Sequence, residues 1–243
     1  MSECYVFDID NTLTPPREMI IDEFADFFVG FCQRNEVYLV TGSSYAYVCS
    51  QIYQDILDEV KAVFPCAGTV KVIEGAEVYR HVWEPNPLLF GVLGQLLNTS
   101  EWPHSKRYEN FIEHRGTMVN FSVLGRNCPH EMRGEYFRWD LESGERKTVA
   151  KLLRDLFPEL DVSIGGEISM DIMPAGKNKA MILDDLSEFE GKSVIFFGDK
   201  CSKGGNDYPL AERITNEGRG MVVPVVGWLQ TFEHLKNFEK GAS

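Results

Sequence analysis

Tyr5-Val6-Phe7-Asp8-Ile9-Asp10-Asn11-Thr12-Leu13-Thr14-Pro15-Pro16 begins with a short apolar run that reads as a fully buried strand. The run breaks into two carboxylates spaced i, i+2, then a hydroxyl, then a double proline that cannot continue a strand. Asp8 and Asp10 therefore leave the carboxyl end of a buried strand together, where open α/β sheets place their ligands. Carboxylates held that close repel each other and raise a pKa unless a cation lies between them. A hard divalent ion such as Mg²⁺ resolves the conflict, taking oxygens from the turn and leaving positions for phosphate and water. One carboxylate can then attack phosphorus while the other handles a proton. A lone Asp-x-Asp is more simply a solvated acidic turn; Thr12 and the distant partners below set this one apart.

Outward from that turn the pattern is strand, helix, strand. The sequence predicts a helix from Glu23 to about Arg34, capped by Asp22, with Phe24, Phe27, Phe28 and Phe31 as its buried stripe. Strand Val37–Val40 follows and ends in Thr41-Gly42-Ser43-Ser44, which brings a hydroxyl and backbone N–H groups to the same sheet edge. This spacing indicates a parallel, doubly wound sheet. A helix is expected from Tyr45 to about Gln54, a third strand at Val63-Phe64-Pro65, and a hairpin of Val70–Ile73 with Val78–Val82. The character then changes. Helix Leu88–Leu97, paired strands Asn110–His114 and Met118–Val123, helices from Pro129 and Glu145, and paired strands Leu160–Ile164 and Ser169–Met173 describe an inserted α+β domain, a lid. After Gly176 the parallel pattern resumes, with helix Lys179–Leu186 and strand Ser193–Phe197. The expected division is a discontinuous core, 1–81 and 176–243, around a cap, 82–175, inserted after the third strand.

The chain has 243 residues, 44% hydrophobic and 25% charged, enough for a full core and a second unit. A net charge of −13 argues against a nucleic-acid partner, whose phosphates would be repelled, but not against small phosphorylated substrates. No run is long enough for a membrane span, and the first residues enter a strand, leaving no room for a signal peptide. The six cysteines are scattered, without spacing suited to zinc or redox work. A reduced, cytoplasmic protein is expected.

A second acidic strand end lies at Val194-Ile195-Phe196-Phe197-Gly198-Asp199, followed by Lys200, Gly204-Gly205 and Asn206-Asp207. Asp199 should emerge at the edge that carries Asp8 and Asp10 and complete an oxygen site for the ion. Asn206 and Asp207 are either ligands, partners of ligands, or a simple N-cap pair for the next helix. Lys179 can neutralise phosphate charge, although alone it would be an ordinary surface lysine. Arg115, Arg126 and Arg133 fall within one short segment of an acidic chain. Guanidinium groups pair bidentately with phosphate oxygens, so such a cluster can grip a phosphate. The alternative is that they balance Glu109, Glu113, Glu131 and Glu135 on exposed faces.

Asp8-Ile9-Asp10-Asn11-Thr12, Thr41, Lys179 and Gly198-Asp199 with Asn206-Asp207 resemble the four motifs of the haloacid dehalogenase superfamily of phosphoryl-transfer enzymes. Thr14–Arg17, Phe111–Asn120, Leu124–Cys128, Ser163–Asp171 and Phe196–Asp207 narrow the resemblance to its eukaryotic-type phosphomannomutases, with a type IIB cap, over nearly the whole chain. The resemblance implies a Rossmann-like core, Asp8 as nucleophile, Asp10 as general acid/base, and Thr41 and Lys179 on the transferring phosphoryl group. It places Mg²⁺ on Asp8, the Asp10 carbonyl and Asp199, with Asn206 and Asp207 as further metal-site residues. Arg17, Arg115, Arg126, Arg133, Ser169 and Asp171 match the family's substrate contacts. One phosphate would react at Asp8 while the cap anchors the other, as a mutase working through a hexose 1,6-bisphosphate requires. The implied activity interconverts mannose 6-phosphate and mannose 1-phosphate, with glucose phosphates in range, in the setting of GDP-mannose and other nucleotide-sugar synthesis. Dimerisation through the cap is also implied, for which an exposed apolar helix such as Leu88–Leu97 would serve.

Five features depart from the family pattern. Asn11 replaces the usual glycine, Thr41 stands where close relatives usually have glycine, and Ser44 replaces an acidic residue. Pro224-Val225-Val226-Gly227-Trp228 also lacks the Glu-Asp-Thr that follows this proline, and Glu212–Gly220 does not match a segment for a second cation. A Mg²⁺-dependent sugar-phosphate phosphatase on the same scaffold is the alternative function. The retained arginines favour the mutase, and a non-catalytic module fits poorly because no catalytic position is lost.

Overall fold

The computed structural model describes residues 2–241. In chain order it runs β1 (Ser2–Phe7), α1 (Asp22–Arg34), β2 (Val37–Val40), α2 (Tyr45–Gln51), α3 (Gln54–Glu59), β3 (Ala62–Phe64), β4 (Val70–Ile73) and β5 (Ala76–Arg80). Then come α4 (Pro87–Thr99), β6 (Ile112–His114), β7 (Val119–Phe121), α5 (His130–Ser143), α6 (Glu145–Leu156), β8 (Leu160–Gly165) and β9 (Ser169–Pro174). A 3₁₀ segment (Lys179–Asp184), α7 (Leu186–Phe189), β10 (Lys192–Gly198), α8 (Tyr208–Asn216), β11 (Gly220–Pro224) and α9 (Trp228–Gly241) complete it. The chain divides into two compact units: residues 1–80, 178–203 and 207–243, and residues 81–177 with 204–206.

The first unit carries a sheet ordered β11-β10-β1-β2-β3-β4-β5, parallel from β11 to β3 and antiparallel at β4 and β5. Strands buried on both faces explain the continuous apolar runs of β1, β2 and β10. Phe24, Phe28 and Phe31 of α1 are buried as the stripe predicts, and Phe7 meets Phe28 edge to face at 5.2 Å. Phe7 also stacks on Phe197 at 4.8 Å, so the strand ends that deliver Asp8 and Asp199 are braced by one aromatic layer. The β4–β5 turn is tighter than expected: Glu74 and Gly75 both have positive φ, a two-residue hairpin connection.

Three local readings need correction. Asp22 is the first helical residue, not the cap; Ile21 holds that position, and Asp22 Oδ1 instead accepts the Tyr53 hydroxyl at 2.7 Å. The expected single helix from Tyr45 to Gln54 is broken, because Ile52 and Tyr53 are extended and Ile52 is buried. The expected helix Lys179–Leu186 is a 3₁₀ segment ending at Asp185. There Asp185 Oδ1 accepts the Ser187 hydroxyl at 2.5 Å, a local bond that competes with helical ones, and its Oδ2 accepts the distant Lys71 Nζ at 2.6 Å.

The second unit packs α4, α5 and α6 with an antiparallel sheet ordered β6-β7-β9-β8. Leu89, Leu93, Phe121, Tyr136, Leu153 and Ile172 are among its buried residues. Helix α4 starts as Asn86-Pro87 dictates: the Asn86 side chain accepts the Leu88 N–H at 3.0 Å, and proline occupies the first turn. No helix among the described residues is long and apolar enough to cross a membrane. Cys4, Cys32 and Cys66 are buried, whereas Cys49 is exposed; none of the six is in a disulfide.

Candidate active site

The turn after β1 is tied closed by the Ile9 carbonyl, which accepts the N–H groups of Thr12, Leu13 and Thr14 at 2.9–3.1 Å. Leu13 is fully buried and pins the loop to the core. Asn11 sits at φ +63°, a left-handed conformation that asparagine tolerates better than other non-glycine residues. These constraints leave the Asp8 carboxylate at the sheet edge, nearly buried, with the Thr12 hydroxyl 3.5 Å from Oδ2.

Lys179 is completely buried, and its Nζ donates to Asp8 Oδ1 at 2.5 Å and Asp207 Oδ1 at 2.6 Å. It is therefore far from an ordinary surface lysine. Asp207 holds the N-cap position of α8, as the sequence allowed, but its side chain makes no capping bond; its second oxygen accepts the Lys200 N–H at 2.9 Å. This approach requires Gly198, because a Cβ there would lie 2.8 Å from Asp207 Oδ2. Asp199 completes a group with Asp8 and Asp207 whose ligand oxygens all lie within 4.8 Å of one another. Lys200 Nζ stands 3.2 Å from Asp199 Oδ2.

Electrostatically this group carries surplus negative charge. Burial pushes the Asp8 carboxyl well above the usual carboxylate range; Lys179 opposes that push, while Asp207 and Asp199 reinforce it. Asp199 is raised by burial and by Asp207, against Lys200 and Asn11. Burial alone would lower the Lys179 ammonium, but Asp207 and Asp8 outweigh it and hold the group above the ordinary lysine range. Lys179 stays protonated, and three clustered carboxylates remain with too little positive charge among them. A divalent cation with oxygen preference fits this donor set and would remove the conflict.

Asp10 has a separate environment. Its carboxylate is not part of that cluster, so as a metal residue it can act only through its carbonyl. Its Oδ1 accepts the Arg17 N–H at 2.8 Å and the Gln51 amide at 2.9 Å. Gln51, also bonded to the Thr14 hydroxyl at 3.2 Å, escaped the sequence reading; a glutamine in an otherwise ordinary helix carries no signal. Arg17 lies over the Tyr47 ring at 4.5 Å from its centroid. Thr41 is buried, its hydroxyl accepting the Ser43 N–H at 3.1 Å.

Asn206 groups with the second unit, and its Oδ1 is buried without a hydrogen-bond partner. In that unit β7 and β9 bring Asn120 opposite Asp171, and the Asn120 amide donates to Asp171 Oδ1 at 2.7 Å. Arg126 donates to Asn120 Oδ1 at 3.0 Å and lies 3.4 Å from both the Ser169 hydroxyl and Glu113 Oε2. Arg115 pairs with Glu113 at 2.6 Å. Arg133 is near Glu167 at 3.4 Å. Of the acids named as possible balancing partners, Glu113 does pair with two arginines, while Glu135 pairs with Lys106 instead.

Comparison with known proteins agrees with this arrangement. The fold is that of haloacid dehalogenase-like enzymes: a haloacid dehalogenase-like hydrolase from Bacteroides thetaiotaomicron superposes with a TM-score of 0.59 at 14% identity, covering 97% of this chain and 100% of that one. Residues 24–238 match the eukaryotic phosphomannomutase family. Phosphomannomutase 1 of Dictyostelium discoideum is 34% identical over 219 residues, 86% of this chain and 88% of its own length. A phosphomannomutase of Drosophila melanogaster is 34% identical over 215 residues, 84% of each chain. The chain belongs to the eukaryotic phosphomannomutase family of enzymes.

Proposed function

We propose that this protein is a phosphohexomutase that interconverts mannose 6-phosphate and mannose 1-phosphate. The observation that carries the reading is the buried Asp8–Lys179–Asp207–Asp199 cluster in a chain of this family. Asp8 attacks the phosphorus of a hexose 1,6-bisphosphate, the bond to the sugar oxygen breaks, and an aspartyl-phosphate forms while the leaving oxygen takes a proton from Asp10. In the other half-reaction the free hydroxyl of mannose 1-phosphate attacks the aspartyl-phosphate, its proton goes to Asp10 and the Asp8–phosphorus bond breaks; the bisphosphate so formed turns end for end and gives its other phosphate to Asp8, leaving mannose 6-phosphate. Asp10 suits this role because Gln51 and the Arg17 N–H hold its carboxylate apart from the acidic cluster. Lys179, already on Asp8 Oδ1, is placed to neutralise the transferring group, and the Thr41 hydroxyl would donate to it.

Asp8, Asp199, Asp207 and the Asp10 carbonyl would hold Mg²⁺, with Asn206 as a further partner. Bound there, the ion supplies charge neutralisation for phosphate and for the carboxylates. Arg115, Arg126 and Arg133 bind the phosphate that is not reacting, and Ser169 and Asp171 bind sugar hydroxyls, with Arg17 contributing from the first unit. The core and cap roles of the two units, a cytoplasmic location and a homodimer formed through the second unit belong to the same reading. The apolar helix α4, with Leu88 exposed, supports the dimer.

The test is acid-quench trapping of enzyme mixed with ³²P-labelled glucose 1,6-bisphosphate and Mg²⁺. Label should appear on the protein, disappear on adding unlabelled mannose 1-phosphate, and map to the peptide containing Asp8. Turnover of sugar phosphate with no protein-bound label at any quench time would contradict the aspartyl-phosphate route.

A further inference from the structure

Two segments meet in space. Asn11, in the turn after β1, and Val225-Val226-Gly227, between β11 and α9, are far apart in sequence but share a hydrogen bond. The Asn11 amide nitrogen donates to Asp199 Oδ2 at 3.1 Å and to the Val226 carbonyl at 3.3 Å. A glycine could make neither bond. Two further bonds hold the turn: Val225 N–H donates to the carbonyl of Gly198, the backbone neighbour of Asp199, at 3.0 Å, and Val226 N–H to Gln230 Oε1 of α9 at 2.8 Å. Val226 itself is 87% exposed, so no side-chain burial holds it. Asn11 is thus the side chain that links the exposed turn between β11 and α9 to a carboxylate of the acidic cluster.

We infer that Asn11 is a positioning residue for the cation, and that through it the 225–227 turn is ordered by cation binding. A hydrogen bond to Oδ2 fixes the rotation of the Asp199 carboxylate and leaves Oδ1 for the ion. The bond also sharpens as the carboxylate is held still, so occupancy of the site tightens the contact to Val226. This inference rests on the proposed Mg²⁺ site.

The variant Asn11→Gly tests it, because glycine accepts φ +63° without strain and the turn keeps its shape. Calorimetric titration with Mg²⁺ alone, no substrate present, should show binding to the variant weakened about tenfold, the usual scale for losing a partner that orients a metal ligand. Amide hydrogen exchange at 225–227 should slow on adding Mg²⁺ to the native protein and remain unchanged in the variant. Equal Mg²⁺ affinity in both proteins would overturn the inference, as would Mg²⁺-dependent protection of 225–227 that survives in Asn11→Gly. Absence of Mg²⁺ binding by the native protein would instead overturn the metal site itself, which keeps the two failures apart. Thermal denaturation of both proteins in EDTA checks that any weakening reflects the site, since a folding defect would lower the midpoint without Mg²⁺ too.

Discussion

In the first unit Asp8 and Asp207 share the buried ammonium of Lys179 while Asp199 faces Lys200, whereas in the second unit Arg115, Arg126 and Arg133 already rest beside a carboxylate or amide of their own unit. The first arrangement is poised by a deficit: it is complete only when a cation joins it. The second is neutral at rest, and an anion that bound there would share donors with Glu113, Asn120 and Glu167. A site that does covalent chemistry needs its groups fixed and desolvated before substrate arrives, and burial with few partners achieves this. A site that must hold a phosphate and release it to let a sugar turn gains from partners that compete with the ligand. On the proposed reading, the same charges, differently compensated, would give one unit chemistry and the other reversible grip.

The comparison breaks first at Lys179. Lys179→Met should leave Asp8 and Asp207 buried and uncompensated and cost about 3–5 kcal/mol in urea denaturation without Mg²⁺. A loss below about 1 kcal/mol would mean that the cluster is solvated and carries no deficit. Arg126→Gln probes the second unit. It should change stability by less than about 0.5 kcal/mol yet raise KM for the hexose phosphate about 10- to 100-fold, the scale of one or two charged hydrogen bonds. A fall in stability comparable to that of the lysine variant would erase the distinction between the units.

The smallest effect concerns the ion pairs of Lys71 with Asp185 and Glu188, at 2.6 and 2.8 Å. Burial pushes Lys71 down, but the bonds to Asp185 and Glu188 outweigh it and raise its pKa above 10.5. Burial pushes Asp185 up, but Lys71 and Ser187 lower it below 3.8. A depressed acid stabilises above its unfolded value and loses this as pH falls through its folded value. A raised lysine stabilises below its unfolded value and loses this as pH rises through its folded one. Lys71→Met should therefore cost about 1 kcal/mol on a plateau between those limits, shrinking below pH 3.8 and above pH 10.5. A penalty that does not vary with pH would assign Lys71 to packing alone.

Strand identity, sheet class and the acidic strand ends were legible because buried parallel strands must be apolar and must end where polarity begins. Helix interruptions were not. The Ile52–Tyr53 break serves the packing of Ile52, and the end of the 3₁₀ segment at Asp185 answers to Lys71, more than a hundred positions away in sequence. Asp207 could not be separated from an N-cap by sequence, because the partner that claims its carboxylate, Lys179, arrives through the fold. Gln51 was invisible for the same reason: its meaning lies in Asp10, Thr14 and Glu18, which a helix alone does not reveal. Asn11 was visible as a departure, but its contact with Val226 was not.

The most direct measurement is phosphorus NMR of purified enzyme with Mg²⁺, mannose 1-phosphate and catalytic glucose 1,6-bisphosphate, with Asp8→Asn run beside it. Growth of mannose 6-phosphate without matching inorganic phosphate, lost by more than about a thousandfold in the variant, is the expected result. Release of inorganic phosphate with no isomer formed, or isomerisation undiminished in Asp8→Asn, would contradict it.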